Sequence, residues 1–396
     1  MNARRLGSLA AGVLVLSWLV LAARVSRTPF HGDEGSWIAA GVYYMALLQR
    51  GDFRRDEWAC ERCGPWGSLN PQLGKLLIGA PAKLRADASG KPYTLQFYHF
   101  ENSLETNEQE GRVPPLAMLR TSRLTSAAFG AACCAAVFLL TVTHFGSVPA
   151  AIAVALLLTN PTFTDAATRA MSDAHYLAFL LVAYLVGDRA TRPGASLRTS
   201  VLGGVAAGLA CSVKITGIVI VGGFFGVLLV ARLTVDRDGI ARAVKRSAAF
   251  SLSALLTVYA LNPIYWATPL DFPALFGRWN DYMTHQRDTG FGLWHGPRLL
   301  EIPVHLAQLT SSFPLEWALA LVGISAAVHR ERREQGSGIA LLAALLVNVA
   351  LIVGFLPLNW DRYYLPAIVL MQPFAAIGVV IVGEAALCRL AGARSA

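Results

Sequence analysis

An all-α, polytopic membrane protein with about ten transmembrane helices is what the sequence predicts, on three observations: its composition, its apolar runs and the placement of its cations. Of the 396 residues, 55% are hydrophobic and 15% charged, and the mean hydropathy is +0.47. Soluble domains carry more charge and less apolar character than this. Ten apolar runs recur, at residues 6–23, 124–142, 148–159, 166–186, 201–213, 215–231, 248–261, 303–328, 339–358 and 363–387. The fifth and sixth are read as separate because one helix over both would be about 46 Å long, against a hydrocarbon core of about 30 Å. A reversal at Lys214 separates them.

The cations orient this arrangement. Segments assigned to the cytoplasm hold fifteen Lys and Arg residues, among them Arg4, Arg5, Arg189, Arg192, Arg242, Lys245, Arg246, Arg332 and Arg333. The short outer segments hold six: Arg169, Lys214, Arg278, Arg287, Arg298 and Arg362. Both termini are therefore expected in the cytoplasm, and the net charge of +9 reflects topology without calling for a nucleic-acid partner. The first run follows Arg4 and Arg5 but lacks a small-x-small cleavage site before Arg24, so it is read as a retained anchor.

Asn160-Pro161, Asn262-Pro263 and Pro357-Leu358-Asn359 each mark a helix stop at the outer face. No repeat of 20 to 50 residues and no low-complexity tract interrupts the pattern. Residues 1–396 thus read as one transmembrane domain with two long outer loops, 25–120 and 265–302. Chemistry is expected on that side.

The first loop contains HGDEGSWIAAGVYYMALLQRGDF from His31 and SLNPQLGKLLIGAPAKL from Ser68. Asp33 and Glu34 open an apolar-rich helix expected to lie on the bilayer surface, and Lys75 opens a second of the same kind. Two acids and a cation at the headgroup level suit work on a lipid-linked phosphate.

These residues resemble the GT-C superfamily of integral-membrane glycosyltransferases, particularly protein O-mannosyltransferases and the bacterial aminoarabinose transferases that modify lipid A. Asp33-Glu34 stands where the family keeps its acidic pair. Asn70-Pro-Gln72-Leu-Gly-Lys75-Leu-Leu is similar to the family's His-Pro-Pro-Leu-Gly-Lys-Leu-Leu, with Asn70 for the histidine and Gln72 for the second proline. The segments Arg123-Leu-Thr-Ser-Ala-Ala-Phe-Gly and Gly208-Leu-Ala-Cys-Ser-Val-Lys214-Ile-Thr-Gly217 are similar to two more, and Arg169 with Asp173 and Arg362-Tyr363-Tyr364-Leu-Pro366 fit more loosely.

The resemblance implies a hexosyl or pentosyl transfer from a polyprenyl-phosphate or dolichyl-phosphate carrier to a protein, lipid or glycan hydroxyl outside the cytoplasm, without a nucleotide sugar. Two departures stand out: the sequence holds no MIR carbohydrate-binding domain, and Asn70 lacks the basicity of the histidine it replaces. Sugar, carrier length and acceptor stay open.

Inverting displacement at an anomeric carbon needs a base for the acceptor hydroxyl and an electrostatic clamp for the departing phosphate. Asp33 is the expected base. Glu34 either orients the acceptor or joins Asp33 around a divalent cation; alternatively the two acids are an N-cap and a first-turn charge facing the helix dipole. Lys75, Arg123, Lys214 and Arg362 are the expected phosphate cations. Lys75 otherwise snorkels to the headgroups, Arg123 otherwise anchors a span, and Lys214, between two apolar segments, is expected to face a polar cavity.

Asn70, Arg169, Asp173 and Tyr363 are the expected substrate contacts. Arg169 and Asp173 alternatively pair at i, i+4, and Arg362 with Tyr363 and Tyr364 alternatively forms part of an aromatic belt. Cys60 and Cys63 read as a disulfide staple, as half a metal site or as a redox pair, while the other four cysteines behave as small hydrophobes. His31, His99, His285 and His295 are scattered. Residues 272–286 form a further surface helix, with Trp279, Tyr282 and Trp294 placed to stack on a sugar or to anchor at the interface.

The rival class is a transporter or flippase for a polyprenyl-linked substrate, although the internal repeats common there are missing; a non-catalytic relative is a third reading. No Asn-x-Ser/Thr sequon with a permitted middle residue occurs, which favours a bacterial inner membrane.

Overall fold

The computed structural model describes residues 3–394 except 61–62, 64–66, 68–69, 90–95, 193–194, 218–222, 224–225, 227–239, 267–270, 287, 289–300, 335–338 and 356–359. The expected span at 215–231 falls almost wholly outside the described residues, as do the stop at Pro357 to Asn359 and Trp294 and His295. Among the described residues the regular structure is all helical. In chain order the α-helices are α1 (Ala3–Val25), α2 (Gly32–Arg50), α3 (Arg55–Ala59), α4 (Gln72–Ala88), α5 (Leu104–Gln109), α6 (Leu116–Phe145), α7 (Ser147–Thr159) and α8 (Pro161–Thr168). They continue with α9 (Asp173–Thr191), α10 (Leu197–Val213), α11 (Ile240–Leu261), α12 (Asp271–Gln286), α13 (Ile302–Ser311), α14 (Pro314–Glu334), α15 (Ile339–Phe355) and α16 (Leu365–Arg394).

Three of these, α1, α6 and α16, are long and apolar enough to cross a membrane, and the chain is an integral multi-pass membrane protein. Among the described residues, bent helix pairs raise the spans to as many as five, and α10 and α15 contain shorter apolar helices. Two expected runs are interrupted. The run at 303–328 breaks between α13 and α14 with a 97° bend, because Pro314 has no N–H to continue the helix and biases Phe313 away from helical geometry. The run at 166–186 becomes helical through α9 only from Asp173, residues 169–172 being irregular.

Two compact units are present. The first comprises Val15–Cys133 and Thr164–Thr284, the second Met1–Leu14, Cys134–Phe163 and His285–Ala396. In the second, α14 crosses α16 where Gly323 meets the Phe374 backbone and Gly378 meets that of Leu319. Small residues permit such close backbone approach between apolar helices.

The first unit carries the two expected loop helices. Far from lying half exposed, α2 is buried from Gly32 to Val42. Gly41 is the reason: a Cβ there would fall 2.7 Å from the Gly79 nitrogen, and one on Gly79 would strike the Gly41 backbone, so α2 and α4 pack with their backbones almost touching. Trp37, Ile38 and Val42 then share a core with Ile78, Ala82, Met118 and Leu119. Gly79→Val should therefore force the pair apart, with an overpacking cost of about 1–3 kcal/mol; a thermal unfolding midpoint in detergent equal to that of the wild type would refute this account of the crossing.

Gly203 and Gly204 of α10 receive Phe250 and Ser253 of α11 in the same way, and Gly208 receives Ala254 and Thr257. The expected surface helix at 272–286 is α12, whose Trp279 packs on the core around Tyr44 and Trp58.

Candidate active site

Sequence spacing places Asp33 and Glu34 together; the structure gives them different surroundings. The N-cap of α2 is His31 rather than Asp33. Its Nδ1 accepts the Asp33 N–H at 3.1 Å, while Glu34 Oε2 accepts the His31 N–H at 3.0 Å, completing a capping box. Histidine is not among the usual capping residues, which is why the pattern suggested the acid.

Glu34 is fully buried and each of its oxygens takes two donors. Oε1 accepts Arg123 Nε at 2.7 Å and the Ala170 N–H at 2.8 Å; Oε2 accepts Arg123 Nη2 at 2.7 Å besides the His31 N–H. Arg123 in turn spends its remaining donors on the carbonyls of Val25 (3.2 Å), Thr28 (2.7 Å) and Pro29 (3.1 Å). A bidentate, charge-assisted pair thus fixes the end of α1, the start of α2, α6 and the irregular segment before α9. The Asp33 side chain, 10% exposed, stands 3.8 Å from His31 Nδ1.

Lys75 is wholly buried rather than snorkelling. Its Nζ donates to the carbonyls of Gly67 and Asn70 and to Gln72 Oε1, and lies 5.0 Å over the Tyr44 ring. Burial pushes its ammonium well below the ordinary lysine range. The three acceptors tie down the loop that leads into α4, and Asn70 contributes through its backbone oxygen. That loop follows Cys60 and Cys63, which are disulfide-bonded and buried with Trp58 and Tyr44. Asn262, read from sequence only as a helix stop, holds the same region: its Oδ1 accepts the Gln72 N–H at 2.8 Å, and its Nδ2 donates to Ser212 Oγ and the Val258 carbonyl.

Lys214 ends α10 and pairs with Asp173 at 2.5 Å, with the Tyr176 ring 5.9 Å from its Nζ. The Lys214 side chain is 18% exposed. The alternative Arg169–Asp173 pair is not formed, because residues 169–172 are irregular and the two do not share a helix face; Arg169 instead holds Asp165 and the Pro29 carbonyl. Residues 169–173 connect everything so far described. Arg169 touches Pro29, the Ala170 N–H meets Glu34, Ser172 lies against Gly74, and Asp173 takes Lys214. Arg362 and Tyr363 belong to the second unit, where Arg362 stacks over Trp360 at 4.5 Å and Tyr363 lies parallel to the same ring.

A shared metal ion does not fit the acidic pair, since both Glu34 oxygens are already doubly hydrogen-bonded. Among the described residues no three His, Cys, Asp or Glu side chains gather as ligands.

Residues 119–266 match the family of dolichyl-phosphate-mannose-protein mannosyltransferases, a segment that includes Arg123, Arg169, Asp173 and Lys214 but not Asp33 or Lys75. No curated protein matches the chain by sequence. Among solved structures, apo ArnT from Cupriavidus metallidurans superposes with a TM-score of 0.55 and 16% identity, over 96% of this chain and 60% of that one. The same enzyme bound to undecaprenyl phosphate gives 0.58 and 15% over the same shares. Archaeal oligosaccharyltransferase AglB from Archaeoglobus fulgidus, in complex with an inhibitory peptide and a dolichol-phosphate, gives 0.51 and 12%, over 98% of this chain and 52% of that one. The chain shares its fold with ArnT and AglB. It spans about 60% of the length of ArnT and about half that of AglB.

Proposed function

We propose that the protein transfers a sugar from a polyprenyl-phosphate or dolichyl-phosphate carrier to an acceptor hydroxyl on the extracytoplasmic side, with inversion. The observation that carries this reading is the division of labour in the acidic pair. Four hydrogen bonds immobilise Glu34, and its neighbour Asp33 is thereby presented on a rigid helix start, as a general base must be. Asp33 takes the acceptor proton; Glu34 and Arg123 position it. Lys75 holds the loop into α4 in place.

Lys214 is the cation assigned to the donor phosphate. Its partner Asp173 keeps it aimed until the phosphate, which gains charge as the sugar departs, takes over the ammonium. Replacement by methionine should raise the KM for the lipid donor by about tenfold or more, the loss of one charge-assisted bond. An unchanged donor KM would place the phosphate elsewhere. Arg169 and Asp173 line the same segment, and within the second unit Arg362 with Tyr363 is a separate candidate contact for a carrier.

Purified protein supplied with a radiolabelled polyprenyl-phosphate sugar in vesicles separates the alternatives. A transferase consumes the donor, a flippase relocates it intact, and a non-catalytic relative does neither.

A further inference from the structure

The aromatic segment after α4 has no part in the chemistry above, yet it lies against the residue that precedes Asp33. A Cβ on Gly32 would fall 2.5 Å from Tyr98 Cδ1 and 2.9 Å from Phe100 Cε1. Tyr98 and Phe100 meet edge to face at 5.1 Å, and Phe30 backs Tyr98 at 5.8 Å. Only glycine at position 32 admits these rings so close to the start of α2.

The segment is held rigidly. Asn107, buried on α5, donates to the carbonyls of His99, Asn102 and Ser103 and accepts the His99 N–H, while Arg112 donates to the Phe97 carbonyl at 2.8 Å. Rings carried on such a loop are preorganised for a ligand. Phe100 is nevertheless 60% exposed.

Charge identifies what suits it. Residues 97–112 hold four glutamates and a single arginine, and that arginine is bound to Glu110 and Phe97. An acidic loop is not drawn to an anionic bilayer surface, so membrane anchoring does not account for the rings, and anionic acceptors are disfavoured as well. Ser36, one turn on from both Gly32 and Asp33, is fully buried, and its hydroxyl has no hydrogen-bond partner among the described residues, an unpaired polar group at the start of α2.

We infer that Tyr98 and Phe100 form the acceptor subsite of the site proposed above, and that the acceptor is a neutral sugar ring. A pyranose offers an apolar C–H face to the aromatic rings and a rim of hydroxyl donors to an acidic segment. Stacked there, it brings a hydroxyl to Asp33. The inference rests on the glycosyl-transfer reading only for that last step; binding itself does not need it.

The test uses the full chain in a detergent without a sugar headgroup. Maltotriose and methyl hexosides are titrated by calorimetry and offered as acceptors to the radiolabelled polyprenyl-phosphate donor. Wild type should bind and glycosylate them in preference to Ser/Thr peptides and phosphorylated glycans. Tyr98→Ala and Phe100→Ala should each raise acceptor Kd and KM by about tenfold, leaving donor KM and the unfolding midpoint unchanged, and Tyr98→Trp should restore binding. Unchanged acceptor constants in both alanine variants, or wild-type preference for a peptide or an anionic glycan, would overturn the subsite. If no acceptor is ever glycosylated, the transferase reading fails instead, and calorimetry alone decides the subsite.

Discussion

Asp33→Asn should lower turnover by about 10²- to 10⁴-fold, the usual contribution of a general base, while the protein inserts, purifies and unfolds like the wild type. The expectation of unaltered stability follows from the surroundings of residue 33. Its backbone N–H, which completes the cap with His31, is retained, and the asparagine side chain keeps the size of the acid. What changes is the ability to accept a proton. The donor KM should stay near the wild-type value, because no part of the phosphate clamp is altered, and the loss should appear in kcat. Glu34→Gln offers the contrast: it should reduce activity together with stability, since its carboxylate holds Arg123 rather than a substrate. Full turnover by Asp33→Asn would remove this residue from the mechanism.

Hydropathy alone carried much of the architecture. It located α1, α6 and α16, whose apolar windows are long and continuous, and the Asn-Pro stops after α7 and α11 fell where the structure ends those helices. Lys214 marked the end of α10 because a lysine inside an apolar stretch is expensive. The Phe313-Pro314 break was also written in the chain, and an apolar average over 303–328 concealed it. The irregular segment before α9 is a different case. No proline or glycine occurs between Ala166 and Asp173, and the buried Ala170 N–H is satisfied by a carboxylate 136 positions earlier. A window of local sequence contains no trace of such a partner.

The site shows the same division. Residue type, spacing and the family resemblance single out Asp33, Glu34, Lys75, Arg123, Arg169, Asp173 and Lys214 as candidates, and all lie in the first unit. Their pairings do not follow from these signals. Type and spacing suggested that Arg123 and Lys75 face a phosphate, whereas their donors are taken by Glu34 and by backbone carbonyls. Ala170 carries no motif and Asn262 reads only as a helix stop, and only tertiary packing reveals their contacts. Tyr98 and Phe100 are legible as aromatics, but Gly32, which lets them approach, reads in sequence as an ordinary helix-start glycine.

The largest loss of stability should come from Arg123→Met. It strips Glu34 of two charge-assisted bonds and leaves a buried carboxylate without its counter-charge, an arrangement that costs about 3–5 kcal/mol when only one partner is removed. The carbonyls of Val25, Thr28 and Pro29 lose their donor at the same time. Glu34→Gln should destabilise by the same logic with the sign reversed, leaving a buried guanidinium without its counter-charge. The two effects are not independent, because the charges that each variant strands are each other's partners. Combining Arg123→Met with Glu34→Gln therefore removes both, and the double variant should unfold at a higher temperature than Arg123→Met alone, with a coupling of about 0.5–3 kcal/mol in a double-mutant cycle. Activity should not follow stability back. Without the bidentate pair, only the Ala170 N–H and the cap remain to fix the start of α2, so Asp33 is no longer held at one angle and turnover stays low. Additive losses in the cycle would show that the pair is not a unit, and recovery of activity in the double variant would show that Asp33 does not depend on it for its aim.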